Sequence, residues 1–274
     1  GAIAPVGSIF IGGGTPSLLA GAAVNELLDE VARLLPLTDA CEITLEANPG
    51  TVDAANFHDY RLAGVNRLSI GVQSLDPARL QALGRIHTPG DAIRALRLAR
   101  RAGFDNVNLD LMYGLPGQSL TGVLADLRQA VDLAPEHLSW YQLTLEPNTA
   151  FYRTPPPLPD DERVADMSDA GLALLDDRGD VLGRGVRSEV DRAPPVQVCR
   201  DRRPGGREWE NGGSMSPRVV QFYFPISGTL FIPIVGTFLR SQRHLASRLD
   251  ILCSCLANSG RRTSGSHARE MTSR

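Results

Sequence analysis

From residue 6 to about residue 175, short apolar runs alternate with longer stretches whose apolar positions recur at helical spacing. The runs "SIFI" (8–11), "EITLEA" (42–47), "RLSIGV" (67–72), "VNLDLM" (107–112) and "LSWYQL" (138–143) predict β-strands. Between them, 24–35, 53–63, 77–83, 89–102 and 120–132 predict helices, and another helix over 160–175 follows the proline run "TPPPLPDDE". Asp53 and Thr121 are the expected N-terminal caps, and Gly64 and Gly103 the expected C-terminal stops. Repeated βα units imply an α/β fold with parallel strands, either an open doubly wound sheet or a barrel. The strands read as near-apolar on both faces, which predicts burial on both sides.

After about residue 176 this grammar stops. Residues 1–175 hold 12 Arg against 21 acids, whereas 176–274 hold 16 Arg against 10 acids. The segmentation that follows is a region 1–150 of βα units, a linker and helix over 151–175, and an atypical tail over 176–274. Three readings of the tail compete: a basic nucleic-acid-binding segment, a membrane anchor over 219–239, and an out-of-frame translation. Scattered arginines without an accompanying motif argue against nucleic acid. Two prolines and a Ser-Gly pair break the apolar run 219–239 and argue against a span. The frame reading is favoured, because a GC-rich gene read out of frame yields aperiodic Arg, Pro, Gly and Ser. The complete absence of lysine fits such a gene. The final stretch "NSGRRTSGSHAREMTSR" reads as disordered.

A net charge of -3 and 42% hydrophobic content describe an ordinary globular chain. Cys41, Cys199, Cys253 and Cys255 make no disulfide framework, and residues 1–5 offer no basic or apolar leader, so the cytoplasm is the expected compartment. The chain opens without Met, almost directly at a strand, and is read as a piece of a longer protein.

Candidate chemistry collects at the strand ends: "GGGTPS" (12–17), "LEANPG" (45–50), "SIGVQS" (69–74), "NLDLMYGLPGQ" (108–118) and "WYQLTLEPNT" (140–149). Ligands of α/β sheets bind at that edge, where loops and helix N-termini converge. Gly12, Gly13 and Gly14 let a ligand approach bare backbone. Glu46 suits an amine or a ribose hydroxyl, Gln73 and Asp110 suit hydroxyls, and Arg85 suits a bidentate carboxylate. His58, His87 and His137 are assigned ordinary surface or capping roles rather than metal or haem ligation.

The stretches "IFIGGGTPSLL", "EANPGT", "RLSIGVQSLDPARLQALGRIHT", "GFDNVNLDLMYGLPGQ" and "WYQLTLEPNTAFY" followed by "PPPLPDDE" resemble the radical S-adenosylmethionine family of oxygen-independent coproporphyrinogen III oxidases. The resemblance covers about residues 6–175 and is greatest to the HemW-like branch, regarded as haem chaperones. It implies a partial (β/α)6 TIM-like barrel lacking its first strand, holding S-adenosylmethionine and, in the full-length parent, a [4Fe-4S] cluster, with haem or porphyrin and a haem-acceptor protein as partners. By motif, Gly13, Gly14 and Thr15 lie along the methionyl group, and Glu46, Gln73, Arg85 and Asp110 bind S-adenosylmethionine, with Thr144 a further contact. Two departures stand out. The family's Cys-x3-Cys-x2-Cys loop is absent from the residues given, so no metal ligand is assigned, and the family's C-terminal pattern is missing after residue 175. The functions implied are haem delivery or, alternatively, oxidation of coproporphyrinogen III. A cluster-free nucleotide-binding module is the third alternative. A barrel opened at its first strand also predicts an unpaired, aggregation-prone edge.

Overall fold

Each apolar run becomes a strand because its β-branched and large apolar side chains find a helix layer to bury against. The computed structural model describes residues 5–145 and 149–177, together with the backbone of 182–184, 198–200 and 229–233. Strands β1 (Val6–Gly12), β2 (Leu37–Ala47), β3 (Arg67–Gln73), β4 (Val107–Tyr113) and β5 (His137–Gln142) pair in parallel in chain order. The connections carry α1 (Gly21–Leu34), α2 (Ala54–Leu62), α3 (Pro77–Ala82), α4 (Pro89–Arg101) and α5 (Leu120–Asp132). Parallel crossovers are right-handed, so an order without reversal places every helix on the same face. The five strands therefore make a half-barrel, with no switch point of the doubly wound kind.

The strands are not apolar on both faces. Ile9, Ile11, Leu45, Leu68, Ile70, Leu109, Leu138 and Trp140 point to the helices and are essentially inaccessible. Their alternating neighbours Thr44, Arg67, Ser69, Asn108 and Ser139 turn to the opposite, concave face, and they are buried too. The concave face, which the sequence predicts to be apolar, instead carries the polar groups. These groups satisfy one another: Ser139 donates to Asn108 Oδ1 at 3.1 Å, and Asn108 Nδ2 donates to Ser69 Oγ at 2.8 Å.

Predicted boundaries hold within a few residues except at β2, which begins five residues before the predicted Glu42 and so contains Cys41. Its first turn of chain, Thr38–Ala40, is exposed and carries no apolar signal. Asp53 caps α2 as expected, accepting from Asn56 N at 2.8 Å. The α5 cap is Ser119 rather than Thr121: its hydroxyl accepts from Gly122 N at 3.1 Å. Gly64 and Gly103 directly follow the C-caps of α2 and α4.

Beyond β5 come α6 (Ala150–Arg153) and α7 (Asp161–Asp177). In α7, Gly171 lies flat on the indole of Trp140, where a Cβ would come within 1.9 Å of Cη2. The described residues of the tail form three short strands. β6 (Leu182–Arg184) and β7 (Val198–Arg200) are antiparallel to each other, and β7 is antiparallel to β5. The last, β8 (Thr229–Pro233), runs parallel to β1, in register from Ser8↔Thr229 to Gly12↔Pro233. The edge expected to be unpaired is thus paired by a strand from the tail. The remainder of the tail, including most of the apolar run 219–239 and the disorder assigned to the end of the chain, lies outside the described residues. Among the described residues no helix is long and apolar enough to cross a membrane.

Candidate functional site

The turn after β1 shows what its three glycines do. Gly12 is buried, and a Cβ there would lie 2.8 Å from Phe10 Cε1 and 3.0 Å from Glu46 Cδ. Its bareness makes room for the protein's own side chains. Gly13 and Gly14 are exposed, with φ of 76° and 55°, a left-handed conformation that glycine adopts without steric cost. Gly13 N donates to Glu46 Oε2 at 2.9 Å, so the turn and the end of β2 are joined through the carboxylate. A second tie comes from Ser17, whose hydroxyl accepts from Asn48 N at 3.0 Å and meets Thr51 Oγ1 at 2.8 Å. Tyr60 of α2 donates to the Leu19 carbonyl at 2.6 Å and holds the same loop from behind.

At the end of β3 the chain bulges against β4 between Gly71 and Gln73, and Gln73 adopts a φ of 67°. For a residue with a Cβ this is a strained conformation, held only where the surroundings over-determine it. Asp126 of α5 supplies part of that hold, accepting from Ser74 Oγ at 2.5 Å and Leu75 N at 3.0 Å. The same connection continues through α3, which ends in a Schellman motif. There Gly84 takes a φ of 68° and Arg85 N donates to the Leu80 carbonyl at 2.9 Å, which fixes the backbone of Arg85.

Asp110, at the middle of β4, accepts from Ser69 Oγ and Asn108 Nδ2, each at 2.9 Å. Burial raises the pKa of its carboxyl above the ordinary value, against the lowering effect of those donors. Glu46 is pushed up to about 7, chiefly by burial; the Gly13 N–H opposes the shift and the negative charge of Asp110 adds to it. The site therefore holds two carboxyls that resist ionising together and gain from a cation placed between them.

Gly14, Thr15, Glu46, Gln73, Arg85 and Asp110 line one cleft of about 220 Å³. Gly13 adjoins it through its bond to Glu46, whereas Thr144 is exposed beyond β5 and is not among the lining residues. The sequence reading missed Asn48, Ser69, Gly71 and Tyr141, which also line the cleft. Ser69, Gly71 and Gln73, like Ser139 and Tyr141, sit two residues apart along their strands, and that period was the available signal. A larger cleft of about 570 Å³ lies between the start of α5 and Pro157–Pro159. It lacks the paired carboxyls, and its one arginine, Arg163, is 3.6 Å from Asp160.

The histidines do not all behave as assigned. His58 is exposed. His87 and His137 are buried, at 3% and 1% exposure, because each lies beneath the sheet-end loops or within β5 rather than on the surface. His87 Nε2 lies 3.1 Å from the Val72 carbonyl, and burial lowers its pKa. Cys41 is buried, and among the described residues no group of three or more His, Cys, Asp or Glu side chains could hold a metal ion.

Comparison with known proteins gives this geometry a context. Residues 2–130 match the family model "Radical SAM superfamily". The chain is 59% identical over 170 residues to the "Heme chaperone HemW" of Escherichia coli K12, covering 62% of this chain and 45% of that protein. It is 43% identical over 178 residues to the mouse "Radical S-adenosyl methionine domain-containing protein 1, mitochondrial", covering 64% and 40%. The fold superposes on Escherichia coli coproporphyrinogen III oxidase (HemN), described as a radical SAM enzyme, with a TM-score of 0.60 and 26% identity over 68% of this chain and 44% of that one. The chain thus spans less than half the length of the curated relatives it matches. Residues 2–130 thus match the radical SAM superfamily model, and among the curated relatives the chain is similar to the HemW proteins.

Proposed function

We propose that this chain is the S-adenosylmethionine-binding part of a HemW-like protein that delivers haem. The observation that carries the reading is the convergence on one cleft of Gly14 and Thr15 from the turn after β1, Glu46 from β2, Gln73 from β3, Arg85 from the connection between α3 and α4, and Asp110 from β4. Their chemistry fits the ligand. Arg85 suits the methionyl carboxylate, while Glu46 and Asp110 suit the ammonium, the sulfonium charge or the ribose hydroxyls. The exposed turn at Gly13 and Gly14 admits the methionyl chain against bare backbone. Reductive cleavage of the sulfonium is the chemistry this cofactor supplies in radical SAM proteins, and it requires an electron donor. A [4Fe-4S] cluster does not fit the residues given: Fe–S clusters are held by thiolates, and no Cys-x3-Cys-x2-Cys is present. No radical step is therefore assigned to these residues.

Binding alone is what they would perform. The cleft would orient the cofactor, and the protonation of Glu46 would set its affinity for a cation. Haem delivery to an acceptor protein in the cytoplasm belongs to the proposal for the whole protein, supported by the similarity to HemW proteins. The structural likeness to HemN favours the oxidase as the second reading, at lower identity. Isothermal titration with S-adenosylmethionine, followed by haem titration monitored by absorbance, tests the proposal. Binding of both S-adenosylmethionine and haem supports haem delivery. Binding of coproporphyrinogen III in place of haem would favour the oxidase, and binding of neither S-adenosylmethionine nor haem would dismiss the reading.

A further inference from the structure

Tyr141 lies in the candidate cleft without a role in the reading above. It projects from β5 on the concave face, two residues beyond Ser139, and its hydroxyl approaches Gln73 Oε1 at 3.4 Å. Gln73 is an unusual residue to find so constrained. Its backbone sits at φ 67° on the bulge of β3, and its side chain is folded back over Gly71, where a Cβ would lie 2.9 Å from Nε2. Any side chain at position 71 would force that amide away. Bulge, bare Gly71 and Tyr141 together hold one side chain in one orientation, a combination that structural duty alone does not call for.

The amide has two unlike ends, and which end faces the ligand decides what it recognises. A phenol is an effective donor so long as it stays protonated, and burial keeps the Tyr141 hydroxyl protonated well past neutral pH. A donor on Tyr141 calls for the carbonyl end of Gln73 and leaves the NH2 end at Gly71, on the cleft wall.

We propose that Tyr141 is a positioning residue of this cleft, fixing the Gln73 amide so that its NH2 group is presented to an acceptor oxygen of the bound ligand. The inference rests on the reading that the cleft takes S-adenosylmethionine, whose ribose hydroxyl and carboxylate oxygens are acceptors of the required kind. It makes the cleft selective for an acceptor at this point and assigns Tyr141 an effect that passes through Gln73.

A double-mutant cycle on the full chain tests it, with S-adenosylmethionine affinity measured by isothermal titration for wild type, Tyr141→Phe, Gln73→Ala and the double variant. Phenylalanine keeps the ring and its packing, and thermal melting of each variant verifies the fold. The expected result is a loss of about 3- to 10-fold for Tyr141→Phe, the size of one neutral hydrogen bond. In the Gln73→Ala background the same substitution should cost nothing further. An equal loss in both backgrounds would overturn the inference, since Tyr141 would then act on the ligand or the fold directly. No loss in either would overturn it as well. If wild type itself fails to bind S-adenosylmethionine, the cofactor reading falls first and takes this inference with it.

Discussion

Leu109 and Asn108 are neighbours on β4 and face opposite ways, and the contrast between them runs through the whole half-barrel. Leu109 enters the layer between strands and helices, where Ile70, Leu68 and Leu138 occupy equivalent positions. Asn108 enters the concave face, where it donates to both Ser69 and Asp110 and accepts from Ser139. Both residues are almost fully buried. Burial alone therefore says nothing about role here. One face is held by close packing, which tolerates exchange of apolar side chains of similar volume. The other is held by a set of hydrogen bonds, which fixes the carboxyl of Asp110 in the wall of the cleft.

That contrast breaks most severely on the apolar side. Leu109→Ala should cost about 2–5 kcal/mol of stability, the range for a fully buried leucine. Denaturant melts would show this, while ligand affinity per folded molecule stays unchanged. Gly171→Ala should cost about 1–3 kcal/mol, because the added methyl overlaps the Trp140 ring and α7 has to shift.

On the polar side the loss in stability is smaller than for Leu109→Ala, and a loss in binding accompanies it. Asn108→Ala removes donors from Ser69 and Asp110 and should cost about 1–3 kcal/mol. In contrast to Leu109→Ala, it should also reduce the affinity for S-adenosylmethionine.

The subtlest effect concerns pH. Burial pushes the pKa of Glu46 up to about 7, above the ordinary 4.5 of a glutamate carboxyl, so its neutral form favours the folded state. Its contribution to stability is fully present below about 4.5 and is lost as pH rises through about 7. Glu46→Gln should abolish that decline, which thermal melts from pH 4 to 8 would measure. A cationic ligand prefers the ionised carboxylate, so its affinity for wild type should rise over the same interval and stay flat in the variant.

The parallel strands and their helices were legible because apolar runs, caps and Gly stops are local signals. The concave face was not, because Thr44, Ser69 and Asn108 are small polar residues inside apolar runs. Each is explained only by a partner on the next strand; Asn108 and Ser69 lie 39 residues apart. The pairing of β8 with β1 joins segments over 200 residues apart, and nothing local announces it. Of the eight residues expected at the site from residue chemistry and motif resemblance, six line the cleft. Thr144 does not line it, since the chain leaves β5 at Gln142 before reaching it. Tyr141 escaped notice because an aromatic residue in a strand reads as core until its hydroxyl is seen to have a partner.

A crystal structure of the chain grown with S-adenosylmethionine tests the central claim most directly. Ligand density is expected in the cleft bounded by Gly14, Glu46, Gln73, Arg85, Asp110 and Tyr141, with the ligand carboxylate on Arg85. Density in the larger cleft beside α5 instead, or an unchanged strand-end cleft at saturating ligand, would contradict it.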